Sequence, residues 1–276
     1  MTNLQVRVLA ALIYFPFILL CTWSEWSFSL LLSFLSIMAW YEYSHFFNKF
    51  KSKPWSVEAF ALMIIGSLPL LFFAFEIKIE IALMLILIFW QGAAIWSLFK
   101  GRGFVEFLNH TQLVSFGFVY ITALYLCLAF VHQLEGGREA IWFLLFVVGA
   151  ADSGAYFVGK YFGSTPFFQF VSPSKTREGF FGGVFSAVLV AVLLSFLLDY
   201  FNYSSISLWK AALLGALIAA MSSFGDLIES SVKRNFGVKD SGKIIAGHGG
   251  ILDRFDGVIY AGPILLLFMY LNQGFI

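Results

Sequence analysis

The sequence predicts an all-α polytopic integral membrane protein with about nine transmembrane helices. Of its 276 residues, 60% are hydrophobic and 12% are charged, and the mean hydropathy is +0.86. In soluble domains about a quarter of the residues are charged. Runs of about 20 apolar residues, the length that crosses a bilayer as a helix, recur along the chain between short polar turns. We therefore expect a single membrane domain over residues 1–276.

The first apolar run is longer than the core of a typical signal peptide, and no small-residue cleavage motif closes it. We expect it to be retained as a span. The sixth and eighth runs contain acidic residues, but both are apolar enough to insert beside partner helices. The predicted spans are 5–23, 26–46, 57–75, 79–99, 112–131, 139–161, 178–201, 208–232 and 255–274.

The basic residues predict the orientation of these spans. If the N-terminus lies inside, only Lys78, Arg138 and Lys210 of the seventeen Lys and Arg residues fall on outside loops, and the other fourteen fall inside. Cytoplasmic loops are enriched in Lys and Arg. The sequence therefore predicts an N-in, C-out protein, with the loops after spans six and eight facing the cytoplasm.

Charged residues concentrate over 222–256, at the end of span eight and in the loop after it. Asp226, Glu229, Ser230 and Lys233 recur at i, i+3, i+4 and i+7, so they share one helical face. Polar stripes inside membrane helices usually line functional cavities. The structural alternative is that Glu229 pairs with Lys233, and Asp226 with Ser230, merely to hide polarity.

Two further acids, Asp253 and Asp256, repeat the i, i+3 spacing near the start of span nine. Carboxylates from two helix ends can converge on one point. Oxygen ligands without a Cys or His cluster suit Mg²⁺, which keeps several waters and takes one or two carboxylates together with substrate phosphates. The alternative is that both acids only cap the helix and neutralise its dipole.

Basic and glycine residues lie between these acids and could form surface salt bridges or bind an anion. Successive glycines ahead of a helix favour an anion-binding nest of backbone N–H groups. His248, between two of these glycines, could donate to a phosphate or shuttle a proton. The residues concerned are Lys233, Arg234, Lys239, Lys243, Gly247, Gly249, Gly250 and Arg254.

A second candidate segment lies in the loop between spans six and seven. Ser172, Lys175, Thr176 and Arg177 supply donors suited to phosphate, and Gly179 allows close backbone approach. The charge count places this loop on the same face as the first segment. A third cluster, which the sequence supports less strongly and which contains Asp152 and Lys160, lies at the inner end of span six.

The segment Ser230–Asp256 resembles the signature of the phosphatidate cytidylyltransferases, the CDP-diacylglycerol synthases. That pattern is S-x-x-K-R, four residues, K-D, and then H-G-G-x-x-D-R-x-D, and the chain matches every charged position. Ala246 stands where the family commonly has Pro, which should make the loop more flexible. The runs SPSKTREG and DSGAYFVGKYFG also look like family segments, so the resemblance covers at least the C-terminal half. The four N-terminal spans match only in hydrophobicity.

The resemblance implies that a cytidylyl group passes from CTP to phosphatidic acid in phospholipid biosynthesis, giving CDP-diacylglycerol and pyrophosphate. It also implies dependence on Mg²⁺, with room for a second cation, and a homodimer. It gives metal-ligand roles to Asp226 and Asp253 and phosphate-binding roles to Lys175, Lys233, Arg234, Lys239 and Arg254. Together with the residue arguments, the candidate catalytic residues are Asp226, Lys233, His248, Asp253 and Asp256, and the candidate substrate-binding residues are Ser172, Lys175, Thr176, Arg177, Arg234, Lys239 and Arg254.

The expected partners are CTP, phosphatidic acid, the lipid bilayer and a second copy of the chain, with no nucleic acid. We expect a bacterial cytoplasmic (inner) membrane, an active site facing the cytoplasm, a scaffold or dimer role for 1–110 and catalytic helices within 139–276. Two alternatives stay open. A CTP-dependent polyprenol kinase would release CDP, and an ion-conducting transporter would show inverted repeats and mid-membrane acids, neither of which is evident in the sequence.

Overall fold

A computed structural model describes residues 15–46, 104–201, 206–242 and 249–272, together with positions 67, 70, 84, 87, 88, 91, 92, 95 and 275. This part of the chain is mostly helical, as predicted. Its membrane-length apolar helices coincide with predicted spans five to nine. Predicted spans one, three and four fall largely outside the described residues, so the count of nine spans and the N-in, C-out orientation stay predictions. The five helices are Thr111–Gln133, Gly137–Phe162, Arg177–Tyr200, Leu208–Asn235 and Leu252–Asn272.

The chain divides into two compact units, Met1–Ala129 and Phe130–Ile276. The first contains α1, which matches the second predicted span, and α2, which continues through a π-helical turn into α3. Apolar periodicity does not distinguish a π turn from an α-helix, so this turn is not predictable from the pattern. The bounds are α1 Glu25–Phe46, α2 Phe104–Gly117, the π turn Phe118–Ala123, and α3 Leu124–Gln133, which runs into the second unit.

Buried Trp40 links α1 to the π turn in the first unit. Its indole Nε1 donates to Thr122 Oγ1 at 3.1 Å. The ring also lies against Gly117, where a Cβ would come 2.6 Å from the Trp40 ring. A buried indole N–H needs an acceptor, and the π turn presents one.

The second unit consists of helices α4 to α7 and one β-hairpin. The hairpin corrects the all-α prediction for the described residues, because it lies where the sequence was interpreted as a loop. Its strands pair antiparallel, with Pro166 opposite Thr176 and Phe168 opposite Ser172. The segment is too short for a span, and its prolines, Pro166 and Pro173, disfavour a helix. The bounds are α4 Gly137–Phe162, β1 Pro166–Phe168, β2 Ser172–Thr176, α5 Arg177–Tyr200, α6 Leu208–Asn235 and α7 Leu252–Asn272.

Small residues let α4 to α7 approach closely. A Cβ on Gly183 of α5 would lie 2.8 Å from the Ala151 carbonyl oxygen of α4, and one on Gly225 of α6 would lie 2.7 Å from the Asp256 carbonyl oxygen of α7. Membrane helices associate through such small-residue contacts because lipid supplies no hydrophobic driving force between them. The close packing brings the end of α6 beside the beginnings of α5 and α7.

We expect Gly183→Ala to destabilise the helix packing by about 1–3 kcal/mol, because the added methyl group must push apart two backbones. The matched control is Gly149→Ala on α4, since no described atom lies within 4 Å of the Cβ position there. Thermal unfolding in detergent should show a lower midpoint for Gly183→Ala only. Equal midpoints for the two variants would contradict close packing at Gly183.

Candidate functional site

A buried ion cluster joins the end of α6 to the beginning of α7. Lys233 Nζ lies 2.8 Å from Glu229 Oε2, one turn earlier on α6, and 2.5 Å from Asp253 Oδ1 on α7. The side chains of Lys233, Glu229 and Asp253 are only 9%, 3% and 11% exposed. Buried charges are tolerated when they are paired with good geometry. The lysine thus bridges two acids that would otherwise repel each other.

The second oxygen of Asp253 is also held by the protein. Asp253 Oδ2 accepts hydrogen bonds from the backbone N–H groups of Ser241 at 2.9 Å and Gly250 at 2.8 Å. Gly249, just before, has φ +84°, and a Cβ there would lie 2.8 Å from Asp253 Oδ2. Glycine suits this position on both counts. In the described part of the predicted anion nest, the Gly250 N–H therefore binds a carboxylate of the protein itself, that of Asp253.

A second acid–lysine pair lies where β2 meets α6. Lys175 Nζ is 2.6 Å from Asp226 Oδ2, and the two side chains are 30% and 45% exposed. Ser230 Oγ, one turn further along α6, donates to Asp226 Oδ1 at 3.2 Å. The structure thus brings together the two segments that the sequence singled out, the loop with Lys175 and the polar face of α6.

Asp226 and Lys175 line an open pocket of about 480 Å³ within the second unit. One wall is polar and includes Asp152 and Lys160, the two charged residues of the third predicted cluster. The other wall is aromatic, where Phe167 of β1 stacks on Phe180 of α5 with ring centroids 4.8 Å apart. The full lining is Asp152, Ala155, Tyr156, Gly159, Lys160, Phe167, Ser174, Lys175, Thr176, Gly179, Phe180, Ser223, Asp226 and Leu227.

Several predicted site residues have structural contacts. Thr176 caps α5, because its Oγ1 accepts the Gly179 N–H at 3.1 Å. Arg234 donates to the Val238 carbonyl oxygen at 3.0 Å and closes the turn after α6. Buried Asp256 accepts the N–H of Gly257 at 2.8 Å. These contacts show how each side chain is positioned, and their substrate roles stay predictions.

The remaining predicted residues lie at or near the surface. Ser172 begins β2, Arg177 begins α5 and is exposed, and Lys239 and Arg254 are exposed on either side of the segment that contains His248. His248 itself lies outside the described residues.

The aromatic wall was not predicted from the sequence, and Glu178 was predicted only as a member of the second candidate segment, without a role of its own. Glu178 accepts hydrogen bonds from the backbone N–H groups of Ser164 and Thr165, both at 3.2 Å, and from Ser164 Oγ at 2.9 Å. It therefore ties the beginning of α5 to the base of the hairpin. A prediction of β1 would have placed Phe167 and Phe168 on opposite faces, since alternate residues of a strand face opposite sides.

The described residues fit the Mg²⁺ that the resemblance implies. They contain no group of three or more His, Cys, Asp or Glu side chains arranged to hold a metal, so a cation would also rely on substrate oxygens, as Mg²⁺ usually does. Asp226 opens onto the pocket and already holds a cationic group, the Lys175 ammonium. Asp253 Oδ1 accepts the Lys233 ammonium, and a carboxylate oxygen has a second lone pair.

Membrane-length helices that place acid–lysine pairs at and beside an open pocket define a helical membrane protein with a charged site. The cytidylyltransferase family matches residues 5–272 of this chain, and the chain belongs to that family. The resemblance inferred from Ser230–Asp256 is confirmed at this level.

Three curated relatives are each named phosphatidate cytidylyltransferase. Those from Staphylococcus saprophyticus, Staphylococcus epidermidis and Staphylococcus aureus are 35%, 34% and 34% identical to this chain over 160 residues. The aligned part covers 57% of this chain and 60% of each relative, so the chain spans less than two thirds of the relatives' length.

The two lysines should differ sharply in their effect on stability. Lys233→Met leaves Glu229 and Asp253 buried without their cation, which should destabilise the protein by about 3–5 kcal/mol. The matched control Lys175→Met removes an exposed pair and should change stability by about 1 kcal/mol or less. Thermal unfolding in detergent at neutral pH measures the difference. A larger loss for Lys175→Met would contradict the assignment of the buried cluster.

Proposed function

We propose that the chain transfers a cytidylyl group from CTP to phosphatidic acid and releases pyrophosphate, leaving CDP-diacylglycerol. The observation that carries the proposal is the pair of lysine–aspartate contacts, Lys175 with Asp226 and Lys233 with Asp253, in a member of the cytidylyltransferase family. The printed names of the relatives support the choice of phosphatidate as the acceptor.

This reaction requires alignment of the two substrates and neutralisation of their negative charge more than it requires covalent participation by the protein. In phosphoryl transfer the attacking and leaving oxygens lie in line, while negative charge spreads over the reacting centre. The phosphate of phosphatidic acid is largely ionised at neutral pH, because its second pKa is about 6. The acceptor therefore needs no general base, and His248 is better suited to donate a hydrogen bond to a phosphate oxygen.

The lysines of the site can supply this neutralisation. An ammonium group has three N–H donors, and Glu229 and Asp253 use two of those on Lys233, which leaves one for a phosphate oxygen. Lys175 is half exposed at the pocket wall and can turn from Asp226 to a substrate phosphate. Charge-assisted hydrogen bonds of this kind stabilise the departing pyrophosphate.

Asp226 and Asp253 would hold Mg²⁺, as the resemblance implies. When bound, the metal supplies positive charge to the phosphates of CTP. The protein's part is to orient the ligands, and the backbone donors of Ser241 and Gly250 hold the Asp253 carboxylate in one orientation. Displacement of the Lys175 ammonium from Asp226 would free that lysine for substrate.

The setting of the enzyme is part of the proposal. The distribution of Lys and Arg supports an active site that faces the cytoplasm, and the bacterial relatives support a bacterial cytoplasmic (inner) membrane. The substrates would then meet at the membrane surface, CTP from the cytoplasm and phosphatidic acid from the bilayer. A homodimer, implied by the resemblance, is the proposed assembly.

The test incubates purified protein with Mg²⁺, cytidine-labelled CTP and phosphatidic acid. We expect labelled CDP-diacylglycerol, and we expect Asp253→Asn to reduce its formation by at least about a hundredfold, because the amide cannot hold Lys233 and a metal as an anion does. Asp199→Asn, an exposed acid at the far end of α5, is the control and should keep wild-type activity. Full activity of Asp253→Asn would contradict the assignment of Asp253 to the active site.

Removal of the metal should abolish activity. We expect a chelator to stop product formation and added Mg²⁺ to restore it. Asp226→Asn should raise the Mg²⁺ concentration for half-maximal activity by at least about tenfold, since losing a ligand weakens metal binding. An unchanged Mg²⁺ requirement in this variant, with Asp199→Asn measured alongside, would contradict a ligand role for Asp226.

A further inference from the structure

The hairpin between α4 and α5 carries an exposed aromatic tip. Phe170, in the turn between the strands, is 99% exposed, and Phe168 at the end of β1 is 44% exposed. The whole stretch 161–174 contains no charged residue. A hairpin tip in water usually carries polar turn residues, because exposed aromatic surface is unfavourable there.

The hairpin pairs part of its own backbone, which lowers the cost of contact with lipid. Its strands pair antiparallel, and the Val171 N–H donates to the Phe168 carbonyl oxygen at 3.2 Å across the turn. At its base, the Arg177 N–H donates to the Thr165 carbonyl oxygen at 2.9 Å. Unpaired backbone groups are costly in an apolar environment, so the pairing makes partial insertion feasible.

The flanking helices place the hairpin near the bilayer surface. Only 163–165 separate α4 from β1, and α5 begins directly after β2, while both helices are long and apolar enough to cross a membrane. Exposed Lys160 and Arg177 flank the hairpin, and the Lys160 ammonium lies 5.7 Å from the ring centroids of Tyr156 and Tyr161. Aromatic and basic side chains of this kind are typical of the membrane–water interface.

The hairpin also contacts the candidate site. Phe167, between the two outward-facing neighbours Pro166 and Phe168, lines the pocket and stacks on Phe180. Strand β1 therefore presents the ring of Phe167 to the pocket and the ring of Phe168 to the outside. Insertion of the tip would fix the height of the pocket relative to the lipid headgroups.

We propose that the hairpin tip, residues 168–171, inserts into the interfacial layer of the bilayer and holds the pocket at headgroup level. The partner is the lipid surface itself, because the tip is uncharged and aromatic, its base is flanked by basic residues, and it connects two membrane-length helices. A second copy of the chain is the competing occupant, and the experiment separates the two.

The test uses the full chain in vesicles of phosphatidylcholine and phosphatidylglycerol. Cys21 and Cys127 are replaced by Ala, and Phe170→Cys is labelled with an environment-sensitive fluorophore. We expect blue-shifted emission and strong quenching by lipids brominated near the headgroup. Leu193→Cys, exposed along α5, is the reference for the bilayer interior, and Asp240→Cys, exposed after α6, is the reference for water.

A label at position 170 that behaves like the one at Asp240, without shift or lipid quenching, would overturn the proposal. So would disulfide cross-linking of Phe170→Cys between two copies in place of lipid quenching, because it would assign the tip to a protein interface. Quenching by headgroup-level bromine that exceeds quenching by bromine at the acyl-chain ends supports interfacial insertion.

An activity measurement extends the test and rests on the proposed function. Phe170→Ser should raise the surface concentration of phosphatidic acid for half-maximal rate by about three- to tenfold, since a polar tip inserts less well. The KM for CTP should not change, and the matched variant Phe170→Leu should stay near wild type. Equal lipid dependence in both variants would contradict a role for the tip in lipid use. If neither the variants nor the wild-type protein make product, the proposed function is wrong. The labelling result then still decides whether the tip inserts into the bilayer.

Discussion

Lys233 is the residue on which the described site depends most. Its ammonium lies between Glu229 on the same helix and Asp253 on the next one, and all three side chains are nearly excluded from solvent. Removing Lys233 would leave two buried acids without their cation. The same contact positions the beginning of α7 against the end of α6, so the fold and the candidate chemistry share one interaction.

The exposed pair of Lys175 and Asp226 complements this cluster. It lies in the wall of an open pocket, where solvent screens the two charges and either side chain can exchange its partner for a ligand. A rigid buried pair beside a labile exposed pair is a reasonable arrangement for phosphate chemistry. The first keeps Asp253 in place, and the second can respond to the arrival of a cation or a nucleotide.

The sequence predicted what depends on local patterns. The five described membrane-length helices lie within a few residues of predicted spans. The contacts of Glu229 with Lys233 and of Ser230 with Asp226 follow from helical spacing and are those of the structural alternative, while only Asp226 of these four residues lines the pocket. The sequence did not predict the hairpin or the choice of Lys175 for Asp226 and Lys233 for Asp253. Such pairings join residues far apart in the chain and depend on close helix packing, which periodicity does not encode. The hairpin lies in the loop predicted between spans six and seven, because short strands give weak signals beside membrane spans.

In the proposed reaction the cytidylyl part of CTP, and not its terminal phosphate, ends on the lipid. The direct measurement supplies the purified protein with phosphatidic acid and CTP radiolabelled either at the α-phosphorus or at the γ-phosphorus. We expect the α-label to move into the lipid and the γ-label to leave as pyrophosphate. Transfer of the γ-label to a lipid, with release of CDP, would contradict this expectation and identify a CTP-dependent lipid kinase.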